Sequence, residues 1–298
     1  LKIIEKKATV VVPTDFPYFL NWIPGADNIL IFTDYSKRKT IERKFAEADL
    51  IFILDLNTSN RMGEVAPFVL HSKAKKIHID HHVYPEKFAD VLISHPEISS
   101  TSEMIFRLIC RMGDFAQIDI ECAQCIYTGM MTDTGCFSYN SNSPEIYSII
   151  YELLKIGVDK DAIYNNIYNT CSVDKMRLTG YALYNKMKIY PEYKTAIITL
   201  DADEIKQFNY RVGDTEGLVN MPLQIQDVVF SVFFRKESDK IKISFRSQGN
   251  FPANKVASDI FGGGGHFNAA GGECYESLES AVKKLEDALP NYAEEFMA

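Results

Sequence analysis

Lys76-Ile77-His78-Ile79-Asp80-His81-His82 is the stretch on which the reading of this chain turns. A short β-branched run ends on a carboxylate and two imidazoles. That places those groups just past the carboxyl end of a strand, where side chains of an open α/β sheet reach the ligand crevice. Carboxylate and imidazole together suit Mn²⁺, Zn²⁺ or Fe²⁺, because imidazole favours transition metals over Mg²⁺. Adjacent histidines after a strand also occur as plain loop residues, so the stretch has to be weighed with its surroundings.

Outward from it, short apolar β-rich runs recur at residues 8–12, 29–32, 50–54 and 91–93, with helical or loop segments between several of them. This predicts an α/β fold whose N-terminal part is a mostly parallel sheet with flanking helices. Asp55 ends the run 50–54 as Asp80 ends its own, and two acidic strand ends of one parallel sheet can converge. Residues 99–186 carry few strand signals and several amphipathic segments, which predicts a helical connecting segment. Ser100-x-x-Glu103 marks a capping box at its start. Within it, Thr128-Gly129-Met130-Met131-Thr132-Asp133-Thr134-Gly135 reads as a buried helix stopping at an acidic turn. Asp133 there is a third candidate ligand, with a turn or capping role as the competing reading.

Past about residue 190 strands return at 194–200, 228–234 and 241–245, with helices near 253–260 and 278–289. These predict a smaller C-terminal α/β domain facing the first across a cleft, with domains 1–182 and 192–298. The start, Leu1-Lys2-Ile3-Ile4-Glu5, reads as the end of a helix, and the natural chain is expected to begin earlier.

Composition narrows the function classes. A net charge of −8 argues against coating long duplex DNA, which rests on neutralising many phosphates. An anionic substrate should be small and met by local cations. No run approaches the ~18 apolar residues of a membrane span and no signal peptide is evident, so a soluble cytoplasmic protein without membrane partners is expected. The six cysteines are scattered, and Cys122-x-x-Cys125 lacks a second pair to complete a zinc site; they read as reduced thiols.

Together these residues resemble the DHH phosphoesterase family, which includes RecJ-like exonucleases, oligoribonucleases of the nanoRNase type and cyclic-dinucleotide phosphodiesterases. The resemblance rests on Asp55-Leu56-Asn57-Thr58-Ser59-Asn60-Arg61, Asp80-His81-His82, Thr132-Asp133-Thr134-Gly135 and Gly262-Gly263-Gly264-Gly265-His266-Phe267-Asn268-Ala269-Ala270-Gly271. The last string is similar to the signature of the DHH-associated C-terminal domain. Consecutive glycines let backbone N–H groups approach an anion closely, and Arg246, at the end of a predicted strand, offers a planar fork for phosphate.

The resemblance implies two divalent metal ions, with Mn²⁺ foremost, held by Asp55 as the bridging residue, His81 and Asp133. It implies supporting or catalytic roles for Asp80 and His82, and substrate binding by Arg246, Gly263, Gly264, Gly265 and His266. Arg61 is expected to brace the loop after Asp55. The family's first motif, a His followed by two spaced aspartates, has no counterpart here, since no His precedes His71. The implied substrates are short oligoribonucleotides, 3′-phosphoadenosine 5′-phosphate (pAp) and linear or cyclic dinucleotides. A catalytically silent nucleotide-binding protein is the alternative, and an inorganic pyrophosphatase a lesser one. Homodimerisation through the helical segment stays open.

Overall fold

The apolar runs of the first half form parallel strands. In the computed structural model, which describes residues 6–296, β1 (Val11–Val12) pairs with β2 (Leu30–Ile31). A separate parallel sheet runs in the order β3 (Leu50–Leu54), β4 (Lys75–Asp80), β5 (Val91–Ser94). Parallel neighbours need crossovers. Helix α1 (Arg38–Glu47) lies between β2 and β3, and α2 (Ala66–His71) between β3 and β4. Ile51 and Ile53 of β3 enter a core with Phe32, Ile41, Met62, Val65 and Val69, while Leu50, Phe52 and Leu54 on the opposite face are exposed. The first two strands are shorter than their sequence runs, two residues each, and Val10 is exposed. The helix end expected at residues 1–5 lies outside the described residues.

The helical segment is built from capped helices: α3 (Thr101–Arg111), α4 (Ile120–Asp133), α5 (Pro144–Ile156) and α6 (Lys160–Tyr168). The side chains of Ser100, Asp119, Ser143 and Asp159 each accept a first-turn N–H, satisfying donors that the helix cannot. The capping box at Ser100 is only half formed. Ser100 Oγ accepts from Glu103 N, but the Glu103 carboxylate reaches one residue further back, to the N–H and hydroxyl of Ser99. Phe106, Ala123, Ile126, Met130, Ile146 and Leu153 form the common core. Gly129 allows α4 to press on α3, since a Cβ there would stand 1.9 Å from Ser102 Oγ. That close approach sets the position of Asp133 at the end of α4. The six cysteines are free, and burial pushes the Cys125 thiol up to about 11.

By internal contacts the chain divides into two compact units, Leu1–Thr170 and Cys171–Ala298. The second begins with α7 (Val173–Tyr181), whose Leu178 packs with Ile198, Leu200 and Phe233. Its six-stranded sheet is made of β6 (Met187–Tyr190), β7 (Thr195–Leu200), β8 (Phe230–Lys236), β9 (Ile241–Ser247), β10 (Gly264–His266) and β11 (Ala269–Cys274), in the order β10-β11-β9-β8-β7-β6. Only β7 and β8 are parallel. Helix α8 (Ala202–Lys206) follows β7, while α9 (Ala253–Phe261) and α10 (Leu278–Ala288) supply Val256, Ala257, Ala281 and Leu285 to a core with Phe230, Phe234 and Phe245. No described helix is long and apolar enough to cross a membrane.

Residues 264–266 of the glycine-rich string form β10 and hairpin with β11. Glycine has little strand preference. Backbone proximity makes the strand: a Cβ at Gly263 would stand 2.1 Å from Gly271 O, and one at Gly265 2.4 Å from Ala269 O.

Glu204 ties the start of this unit together. Its carboxylate accepts from the backbone N–H of Asp201, from Tyr181 Oη at 2.7 Å and from Lys186 Nζ at 2.7 Å. Burial raises its pKa, but those bonds outweigh burial and hold the carboxyl below its ordinary 4.5. A depressed carboxyl stabilises above its unfolded pKa and loses that stabilisation as pH falls through the folded one. Glu204→Gln is therefore expected to cost about 1–3 kcal/mol at neutral pH, with the gap to wild type closing in acid below 4.5. Urea melts of both proteins across this range check it; a gap that widens in acid would contradict it.

Candidate metal centre

Three elements of the first unit bring a carboxylate, an imidazole and a second carboxylate together. Asp55 follows β3 directly, in a left-handed conformation (φ 63°) that an aspartate adopts more readily than most residues. Its N–H donates to Ile79 O, keeping the turn against β4, and Thr101 Oγ1 at the start of α3 donates to its Oδ1 at 2.8 Å. His81 follows β4 and is buried, and its Nδ1 donates to Ile98 O at 3.1 Å. This leaves Nε2 to face Asp133 Oδ2 at 3.1 Å and Asp55 Oδ1 at 3.6 Å. Asp133 closes α4 where Thr134 Oγ1 bonds back to Met130 O and Gly135, Cys136 and Phe137 all take positive φ. Burial alone would lower the His81 pKa, yet Asp133, with help from Ile98 O and Asp55, raises it above 6.5.

The donor atoms of Asp55, His81 and Asp133 lie within 4.8 Å of one another. One buried imidazole with its far nitrogen pinned by a carbonyl and two partly exposed carboxylates form a donor set that fits a divalent transition metal. Asp55 belongs to a second such group with Asp80 and His82.

Asp80 and His82 form a linked pair. Asp80 is fully buried; its Oδ1 accepts from His82 Nδ1 at 2.7 Å and its Oδ2 from His82 N at 3.1 Å. Burial pushes the Asp80 carboxyl up, but the His82 contacts outweigh it and hold it below its usual range. With Nδ1–H committed to Asp80, His82 Nε2 is an acceptor, and Arg61 Nη1 donates to it at 3.0 Å. Arg61 thus reaches the second imidazole as well as lying in the loop after Asp55. Thr101, the Ile98 carbonyl and His78, which bonds Leu56 O while stacking on Phe88, were not singled out by the sequence. No local spacing signals them, because each contact joins segments far apart in the chain.

In the second unit, Arg246, Ala269 and His266 occupy one row across β9, β11 and β10. Directly paired residues share a sheet face, and this row lies opposite the face carrying Phe245. Ser231, paired with Arg246, buries a hydroxyl that has no hydrogen-bond partner among the described residues. Of the glycines, Gly264 faces open space, whereas Gly263 and Gly265 press on β11.

Residues 3–130 match the DHH family, N-terminal domain, and residues 193–291 match the DHHA1 domain. The chain belongs to the DHH family and carries its DHHA1 domain. An exopolyphosphatase-related protein from Bacteroides fragilis is similar to it, with 51% identity and a TM-score of 0.92 over 100% of this chain and 86% of that one. The bifunctional oligoribonuclease and PAP phosphatase NrnA of Thermus thermophilus is 29% identical over 95% of this chain and 82% of its own. That of Bacillus subtilis is 26% identical over 83% and 76%.

Proposed function

We propose that this protein is a metal-dependent phosphoesterase hydrolysing short oligoribonucleotides, pAp or linear and cyclic dinucleotides. The observation that carries the reading is the convergence of Asp55, His81 and Asp133 from two strand ends and a helix end. Asp55, His81 and Asp133 would hold one divalent ion, and Asp55 would be shared with a second; Mn²⁺ suits both. Such ions, when bound, supply Lewis acidity and a water of lowered pKa. Asp80 orients His82 through two hydrogen bonds, and the pair would support catalysis beside the phosphate. In the second unit Arg246, Gly263, Gly264, Gly265 and His266 would bind a phosphate or base remote from the scissile bond. The functional limits in this reading are 1–182 for the catalytic domain and 192–298 for the substrate-binding domain, acting in the cytoplasm.

The net charge of −8 favours small substrates. The T. thermophilus and B. subtilis relatives are described as acting on oligoribonucleotides and PAP. The B. fragilis relative is described as exopolyphosphatase-related, so polyphosphate belongs in the test. Turnover by the natural chain of pAp, pApA, cyclic di-AMP, short RNA, pyrophosphate and polyphosphate is measured with Mn²⁺ and with a chelator. Mn²⁺-dependent release from a nucleotide substrate is expected. Nucleotide binding without turnover of any of them would favour a silent binding protein.

A further inference from the structure

We propose that Arg61 is a phosphate-binding residue of this site, its guanidinium taking a non-bridging phosphate oxygen while His82 holds the side chain in position. The inference rests on the phosphoesterase reading above. Arg61 is exposed and, among the described residues, forms no ion pair, although Asp55, Asp80 and Asp133 surround the same site. Its one side-chain hydrogen bond among the described residues runs to His82 Nε2 at 3.0 Å. A guanidinium has five donors in a planar fork that matches phosphate. One is spent on the His82 imidazole, which orients the group while bringing no counter-charge to it.

The surrounding backbone is built to hold that contact. The loop after β3 is cross-tied to the loop after β4: Asn57 Nδ2 donates to Val83 O at 3.0 Å, and Glu86 N to Asn57 O at 2.7 Å. Ser59 N and Oγ donate to Glu86 Oε2 at 2.7 and 2.8 Å. These bonds lock the segment carrying Arg61 against the segment carrying His82. Met62 and Val65 anchor the same turn in the core, and Gly63 (φ 55°, ψ −136°) provides the kink between them. An arginine serving only solubility needs no such fastening.

The test is calorimetric titration of the Mn²⁺-supplemented natural chain with inorganic phosphate, for wild type, Arg61→Ala, Arg61→Lys, His82→Asn and the Arg61→Ala/His82→Asn pair. Thermal melts confirm that each folds. Arg61→Ala is expected to weaken phosphate binding about tenfold to hundredfold. Arg61→Lys should fall between, as a point charge without the fork, and free guanidinium should restore part of the loss in Arg61→Ala. The loss must persist when Arg61→Ala is made in the His82→Asn background. Equal affinity in wild type and Arg61→Ala, or a loss that vanishes in that background, would overturn the proposal, the second result reducing Arg61 to a brace for His82. Phosphate binding is read directly. Absence of turnover on every substrate above would therefore sink the phosphoesterase reading, and the affinities would still decide the part played by Arg61.

Discussion

His81→Ala is expected to lower kcat/KM by about a thousandfold or more, because it removes the imidazole of the proposed divalent-ion donor set. The substitution also leaves Asp55 and Asp133 facing one another with nothing between them, where His81 Nε2 now stands 3.6 and 3.1 Å from their oxygens. Like charges so placed repel one another. The Ile98 carbonyl loses its donor as well, so the metal-free variant should lose about 1–3 kcal/mol of stability. Steady-state kinetics and Mn²⁺ stoichiometry by electron paramagnetic resonance check the first claim, and a urea melt in chelator the second. Near-normal turnover with a full metal complement would remove His81 from the ligand set.

The second large effect falls on the glycine-rich hairpin. Gly265 has φ 149°, and a Cβ on it would stand 2.4 Å from Ala269 O and 2.7 Å from Ala270 Cα, both backbone atoms of the paired strand. Neither can step aside without breaking the β10–β11 ladder, so Gly265→Ala should cost about 2–4 kcal/mol. Gly264 is the internal control, because a Cβ there meets nothing within 4 Å. Gly264→Ala should keep nearly all the stability, within about 1 kcal/mol. If this backbone approaches an anion, as the glycine string and Arg246 suggest, Gly264→Ala raises KM while leaving the melt in place. Equal melts for both variants would contradict the packing argument; an unchanged KM in Gly264→Ala would take that position out of substrate binding.

Much of the first unit was legible because it follows short-range rules. The runs at 50–54 and 76–79 became β3 and β4, and a parallel sheet puts residues just beyond such strands at one edge, which is how Asp55 and His81 come to face each other. The end of a helix at Asp133 was readable from the hydroxyls and glycine around it. The illegible parts depend on distant partners. Glu103 bypasses the cap its spacing predicts because the Ser99 hydroxyl is within reach, and its other oxygen takes Arg107. β10 hides in a string of glycines because its pairing comes from backbone proximity to β11. The grip of Thr101 on Asp55 joins the start of a helix to a strand end, and nothing local to either announces it.

Asp55, His81 and Asp133 come from three separate stretches of the chain and meet only when the sheet, α3 and α4 have packed. An unfolded chain has no such pocket, so an ion that binds there acts as a weight on the folding equilibrium of the first unit. Each tenfold excess of free ion over its dissociation constant deepens the native well by about 1.4 kcal/mol. Metal starvation would then shorten the lifetime of the protein against proteases, and abundance would follow ion supply alongside turnover.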